Sequence, residues 1–307
     1  MNSRRIAAYY SAVAPRYDEY AGSARGWHWG IWESDVRTHR QSLIRSNEML
    51  VRGLDISGGS HVLDVGCGVG GFAIWAAKNF GCYVTGITIC AEHVLLARRH
   101  AKAAGVGHLC EFLAMDMDRL RLPGDRFHVV VNQESFCYSL DKRGYLASVF
   151  DLLAPGGAWR CIDTCLVAGR QSSVEVRGLR SAVYEGFQIP HFLSIEGVER
   201  RLASVGFVEV DTVDLTKSVL PNRRRFAAAG PLPVALASLF PQWCFSGTRA
   251  ARRYSGGHCR AAFSLVDGLD RGCFRHVLHR ACRPSATAPS NTRPIRRQYE
   301  RTRCRGS

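Results

Sequence analysis

No apolar run in this chain approaches the roughly 20 residues that a membrane-spanning helix requires. The longest candidate, Val234 to Phe240, is short and bracketed by prolines. The opening stretch, MNSRRIAAYYSAVAPRYDEY, holds no continuous apolar segment of secretory-leader length, and a cytoplasmic location is the expectation. No C-x-x-C occurs, and twelve cysteines are too few to staple 307 residues. Cys67, Cys82, Cys90, Cys110, Cys137, Cys161 and Cys165 lie mostly in apolar stretches and are expected reduced, buried and inert. Cys259, Cys273, His276, His279 and Cys282 have no familiar zinc spacing, so no metal site is expected. Acidic residues are scarce at one end. Residues 223–307 carry 17 Arg, no Lys and only Asp267, Asp270 and Glu300 as acids, whereas residues 1–222 balance 24 Lys and Arg against 23 acids. The net charge of +15 therefore belongs to the C-terminal quarter. Such a field attracts anions without choosing among RNA, a membrane surface and a diphosphate.

What is present is an alternation of strand and helix signals, which argues for an α/β fold with a mostly parallel sheet covered on both faces. Strands are expected at His61–Val65, Tyr83–Ile87, His108–Ala114, Phe127–Asn132 and Ala158–Thr164, then at Phe207–Leu215 and Cys273–Cys282. Helices are expected at Ser34–Leu54, Phe72–Phe80, Ala91–Ala104, Arg143–Leu153, Ser173–Phe187 and Ile195–Val205. Pro155-Gly156-Gly157 marks a sharp helix stop. The chain divides by this reading into a lid or cap over residues 1–56, a sheet domain over 57–284, and a basic tail over 285–307 expected to be disordered. The N-terminal part is aromatic, with Tyr9, Tyr10, Tyr17, Tyr20, Trp27, Trp29 and Trp32. It reads as a lid over a pocket; the alternative is a cap on the sheet edge.

The central motif is Val62-Leu63-Asp64-Val65-Gly66-Cys67-Gly68-Val69-Gly70-Gly71, a strand that ends in a glycine-rich turn. Parallel sheets bind ligands beyond the carboxyl ends of their strands, and glycines there let backbone approach a ligand closely. Gly66, Gly68 and Gly71 also satisfy G-x-G-x-x-G, so a nicotinamide cofactor has to be considered. Two features oppose it. Asp64 would repel a pyrophosphate but hold an ammonium group, directly or through water. The second strand ends Gly86-Ile87-Thr88-Ile89, without the acid that an NAD ribose wants. Asp116, in Ala114-Met115-Asp116-Met117, can accept from an adenine amine with methionines flanking the ring; capping a helix is its alternative role.

These strings, with LLAPGGAWRCID, resemble the class I S-adenosylmethionine-dependent methyltransferases over roughly Ser57–Leu215. Within that superfamily, VTGITI, NQESFCYS, Tyr17-Asp18 and Trp27-His28-Trp29-Gly30 are similar to small-molecule enzymes of the tocopherol, sterol and geranyl diphosphate C-methyltransferase type. The resemblance implies a Rossmann-like sheet of about seven strands, the last antiparallel. It implies S-adenosylmethionine as cofactor, held by Asp64, Gly66, Cys67, Gly68, Gly70, Thr88, Ile89, Asp116, Met117, Asn132 and Gln133, with the ribose contact at Thr88-Ile89 departing from the family's acid. Glu134 matches the glutamate thought to stabilise a carbocation and remove its proton. Tyr17, Trp27, Trp29 and Tyr138, with Phe136, could add cation-attracting aromatic faces, and His191 lies where an acceptor lid should be. Arg223-Arg224-Arg225 with Arg249, Arg252 and Arg253 offer a diphosphate clamp, although a solvated helical face is the favoured reading. Magnesium is expected only if the acceptor is such a diphosphate. The expected partner is a small-molecule acceptor, not a nucleic acid, with the chain as monomer or homodimer. The leading reading is C-methylation of an isoprenoid or similar unsaturated molecule. N- or O-methylation of an amine or phenol is the alternative, followed by a nucleic-acid methylase recruited by the arginine tail.

Overall fold

A computed structural model describes residues 2–14, 24–167, 174–222, 265, 268–269 and 274–285. Seven strands form one sheet: β1 (His61–Val65), β2 (Tyr83–Thr88), β3 (Cys110–Ala114), β4 (Phe127–Gln133), β5 (Leu153–Leu166), β6 (Val208–Asp214) and β7 (Phe274–Cys282). Their order is β3-β2-β1-β4-β5-β7-β6, with β7 antiparallel to both neighbours and the other pairings parallel. The helices are α1 (Ser3–Val13), α2 (His39–Val51), α3 (Gly71–Phe80), α4 (Ala91–Ala103), α5 (Lys142–Leu152), α6 (Val174–Phe187) and α7 (Ile195–Val205), with a short helical turn at Thr216–Val219.

The strand cores are apolar on both faces, so each face needs its own cover. Val62, Val84, Val129, Val131 and Ile162 pack in one layer with Met49 and Leu50 of α2, Phe72 and Ala73 of α3, and Val94 and Ala97 of α4. Their sequence neighbours Leu63, Val130 and Cys161 point the other way, onto Tyr145, Leu146 and Val149 of α5 and Val198 and Leu202 of α7. The chain crosses to opposite sides after β1 and β4, which lie side by side. The carboxyl ends of these two strands therefore flank the crevice where such sheets take ligands.

Several boundaries differ from the sequence expectation, each for a local reason. The helix expected over Ser34–Leu54 is only His39–Val51. Thr38 starts it with a reciprocal capping box, accepting from the Gln41 N–H while Gln41 accepts from its own. Gly53, at φ +78°, lies just beyond its end. β3 begins at Cys110 rather than His108, because residues before it turn after α4. β5 begins at Leu153, well before Ala158. Pro155-Gly156-Gly157 is not a gap before that strand but an irregularity inside it, where the pairing with β4 shifts register. A Cβ on Gly157 would sit 2.8 Å from the Ala154 carbonyl oxygen.

The segment before β1 is tied down at both ends of its path. Trp32 donates its N–H to Ser218 O at 2.8 Å, and Asn222 donates Nδ2–H to Gly30 O at 2.7 Å. At the other end, residues 24–25 cross the start of α3 so closely that a Cβ on Gly71 would lie 2.4 Å from Arg25 O. Residues 24–25, with Trp27, thus lie over the glycine turn.

Candidate active site

A cavity opens beyond the carboxyl ends of β1, β2 and β4. Its walls are Gly66 and Gly68 from the glycine turn, Ile87, Thr88 and Ile89 from β2 and its end, Met115, Asp116 and Met117 after β3, and Gln133, Glu134, Ser135 and Tyr138 after β4. His93 of α4 joins them, and Ser3, Ile6 and Tyr10 of α1 with Trp27 close the mouth.

The turn that forms the floor demands glycine. Gly66 has φ +83° and Gly68 φ +51°, both in the left-handed region. A Cβ on Gly66 would come within 2.3 Å of Ser135 Cβ, so strand β4's exit packs directly on the turn. Gly70, at φ +86°, is the N-cap of α3.

Asp64 lies beneath this floor, buried and outside the cavity lining. Burial pushes its carboxyl up to about 7, opposed by a hydrogen bond from the Ala73 N–H, and its Oδ2 has no hydrogen-bond partner. Asp116 does two jobs. It borders the cavity, and its Oδ1 accepts from the Asp118 N–H at 3.1 Å to cap the turn Met117–Arg119.

Glu134 stands at φ +52°, an uncommon conformation for a residue with a side chain. Its Oε1 accepts the Trp29 backbone N–H at 2.6 Å and lies 3.6 Å from Nε2 of His276. Burial holds this carboxyl well above the usual carboxylate range; the Trp29 N–H opposes that and nearby Asp163 adds to it. Asp163 itself is pushed up to about 6 by burial, despite accepting from the N–H groups of Thr164 and Cys137.

The other expected residues divide by where the fold sends them. Gln133 is pinned at the cavity wall, donating Nε2–H to Ser46 Oγ and Asn47 Oδ1, both at 3.0 Å. Its neighbour Asn132 faces the opposite side of β4. There it accepts from Tyr145 Oη at 2.6 Å and Trp159 Nε1 at 2.9 Å and donates to Ser135 Oγ, a buried polar knot that keeps its side chain out of the cavity. Cys67 is buried below the turn, and its thiol is pushed well up by burial. Tyr138 lines the cavity, donating its hydroxyl to Phe187 O at 2.9 Å while its ring meets Tyr10 edge-on at 5.5 Å. Trp29 contributes backbone rather than ring, and His191 lies outside the lining. Tyr17, the arginines at 223–225, 249, 252 and 253, and most of the tail lie outside the described residues.

Two residues that the sequence reading did not connect with this site belong to it. Tyr10 lines the mouth from α1, and His276 reaches Glu134 from β7. His276 and His279 are three apart on a strand and so face opposite sides of the sheet; His279 stacks on Trp159 with ring centres 6.4 Å apart. Among the described residues no group of three or more His, Cys, Asp or Glu is arranged to hold a metal ion.

The chemistry of the lining fits a cofactor that is cationic at one end and aromatic at the other. It holds two carboxyl groups, the thioethers of Met115 and Met117, aliphatic Ile87 and Ile89, and, among the described residues, neither Lys nor Arg. A pyrophosphate would find no countercharge there.

Comparison with known proteins agrees. A family model described as a methyltransferase domain matches residues 62–157. Methyltransferase GfsG of Streptomyces halstedii is 30% identical over 62% of this chain and 67% of its own length. A phosphoethanolamine N-methyltransferase of Triticum aestivum is 29% identical over 59% of this chain, which spans only 34% of that relative's length. The crystal structure of geranyl diphosphate C-methyltransferase from Streptomyces coelicolor A3(2), in complex with Mg2+, geranyl diphosphate and S-adenosyl-L-homocysteine, has the same fold. It superposes at a TM-score of 0.70 with 20% identity, covering 92% of this chain and 97% of that one.

Proposed function

This chain belongs to the methyltransferase family, and from that premise we propose that it transfers the methyl group of S-adenosylmethionine to an unsaturated carbon of an isoprenoid-like small molecule. The observation that carries the reading is the Glu134 carboxyl, set at the carboxyl end of β4 in a cavity with no described cationic side chain. The cofactor supplies an activated methyl group on a sulfonium. The chain supplies the rest. Gly66 and Gly68 allow close approach, Asp64 beneath them is a buried acid that a bound ammonium group would ionise, and Asp116 with Met115 and Met117 frames an aromatic ring.

Methyl addition to an alkene leaves a positive charge on the acceptor, which is neutral again once one proton departs. Glu134 is the base that takes this proton, and before that its ionised form stabilises the cation. Its high affinity for protons, a consequence of burial, suits that task. Tyr10, Trp27 and Tyr138 wall off water and present ring faces to the cation. Residues 1–56 act as a lid in this scheme, since α1 and Trp27 form the mouth of the cavity.

The similar proteins include both an N- and a C-methyltransferase, and the carboxyl is what separates these chemistries here. Glu134→Gln tests the reading. Turnover of an alkene acceptor should fall by about 10²–10⁴-fold, with cofactor affinity retained. Amine or phenol acceptors, which need only positioning, should still react if they are the true substrates.

A further inference from the structure

Glu134 meets a second titratable side chain across the sheet. We infer that His276 is the positioning residue of Glu134: held by Thr164, its imidazole presents an Nε2–H to Oε1 and steadies the ionised carboxylate. The inference rests on the reading of Glu134 as the base.

Three observations support the pairing. His276 Nε2 lies 3.6 Å from Glu134 Oε1, just beyond hydrogen-bond reach, with the imidazole side chain 0% exposed and the carboxyl 18% exposed. Nε2 has no other hydrogen-bond partner, and a buried donor left unpaired is costly. Nδ1, the other ring nitrogen, is 3.3 Å from Thr164 Oγ1, its register partner on β5. If the threonine hydroxyl donates to Nδ1, the ring proton resides on Nε2 and faces the carboxyl. Catalytic hydrogen bonds are often long before ligands bind, and a small shift of Glu134 would close this one.

The surroundings keep the ring neutral. Burial, with His28 adding to it, pulls His276 down to about 3, while Asp214 on β6 acts weakly the other way. Glu134 is faced by Asp163 of β5, and its charge is felt by Tyr10 of α1 and Cys137 of the turn Phe136–Tyr138. Neutral His276 thus acts as a dipole and not as a counterion, and the proton taken by Glu134 need not pass through it.

The test reads the carboxyl itself, without turnover. The infrared band of protonated Glu134, assigned by its absence in Glu134→Gln, is titrated in the ligand-free protein. Thr164→Val removes the donor to Nδ1 and should raise the titration midpoint by about half a pH unit; His276→Phe should raise it by about one unit, a tenfold change in proton affinity. His276→Gln, which keeps an N–H near the same place, should restore it. The acid limb of the turnover profile should move with the midpoint, at unchanged cofactor KM. An unmoved or lowered midpoint in Thr164→Val, checked for folding by its melting transition, overturns the pairing even if His276→Phe fails to fold, and so does a midpoint raised by about one unit in His276→Gln. A moved midpoint with full turnover in Glu134→Gln keeps the pairing and defeats the base reading. An unmoved midpoint with turnover lost in Glu134→Gln does the reverse.

Discussion

The Trp29 backbone N–H donates to Oε1 of Glu134 at 2.6 Å, joining two residues 105 positions apart. The base of the proposed reaction is therefore oriented by the N-terminal segment that also closes the cavity mouth. In the proposed reaction, the segment that lines the cavity mouth thus also aims the carboxyl.

Glu134 adopts φ +52°, a cost borne for its position. Glu134→Gly and Glu134→Ala both delete the carboxyl, but only glycine accepts this backbone freely. The glycine variant should be more stable than the alanine variant by about 1 kcal/mol, measured by urea denaturation. Equal stabilities would show that the backbone relaxes without cost.

Gly66→Ala sets a Cβ 2.3 Å from Ser135 Cβ at φ +83°. Backbone strain and overpacking add, so the loss of stability should exceed about 2 kcal/mol. Cofactor binding by calorimetry should vanish with it. Retained affinity would mean that the turn does not form the cofactor floor.

Asn132→Leu leaves the Tyr145 hydroxyl and the Trp159 indole N–H without their buried acceptor. Each unpaired group costs about 1–3 kcal/mol, so the melting temperature should drop steeply. The folded fraction should still bind cofactor with little change, because this side chain faces away from the cavity.

Asp64 gives a pH dependence of known sign. Its carboxyl titrates at an ordinary 3.8 when unfolded and at about 7 when buried, so the native state holds the extra proton in between. Stability should fall as pH rises from about 4 to about 7. Asp64→Asn should flatten that fall without abolishing it, since Asp163, pushed up to about 6, contributes a similar slope. Denaturation midpoints at intervals across this range would show it. A wild-type protein that gains stability over the same range would contradict the burial of both groups as neutral acids.

The glycine turn was legible in the sequence because its demand is on backbone: positive φ at Gly66, Gly68 and Gly70 admits few other residues. The strand positions were legible from apolar and β-rich runs, while the count of seven and the antiparallel last strand followed from the family resemblance. Asn132, expected beside the cofactor, carries its side chain to the other face of β4, since period two in a strand puts it opposite Gln133. His276 could not be connected with Glu134, because a contact across 142 positions depends on the antiparallel register of β5 and β7. The helix expected over Ser34–Leu54 is shorter because Thr38 caps it, a role that depends on the reciprocal bond with Gln41.

The central claim is that the floor beyond β1 takes a cofactor with a cationic head and refuses a pyrophosphate. Calorimetric titration of the same preparation with S-adenosylhomocysteine and with NADH tests it most directly. The account predicts a single S-adenosylhomocysteine site with an affinity of about 1–100 μM and no heat from NADH. Tight NADH binding without a response to S-adenosylhomocysteine would contradict it.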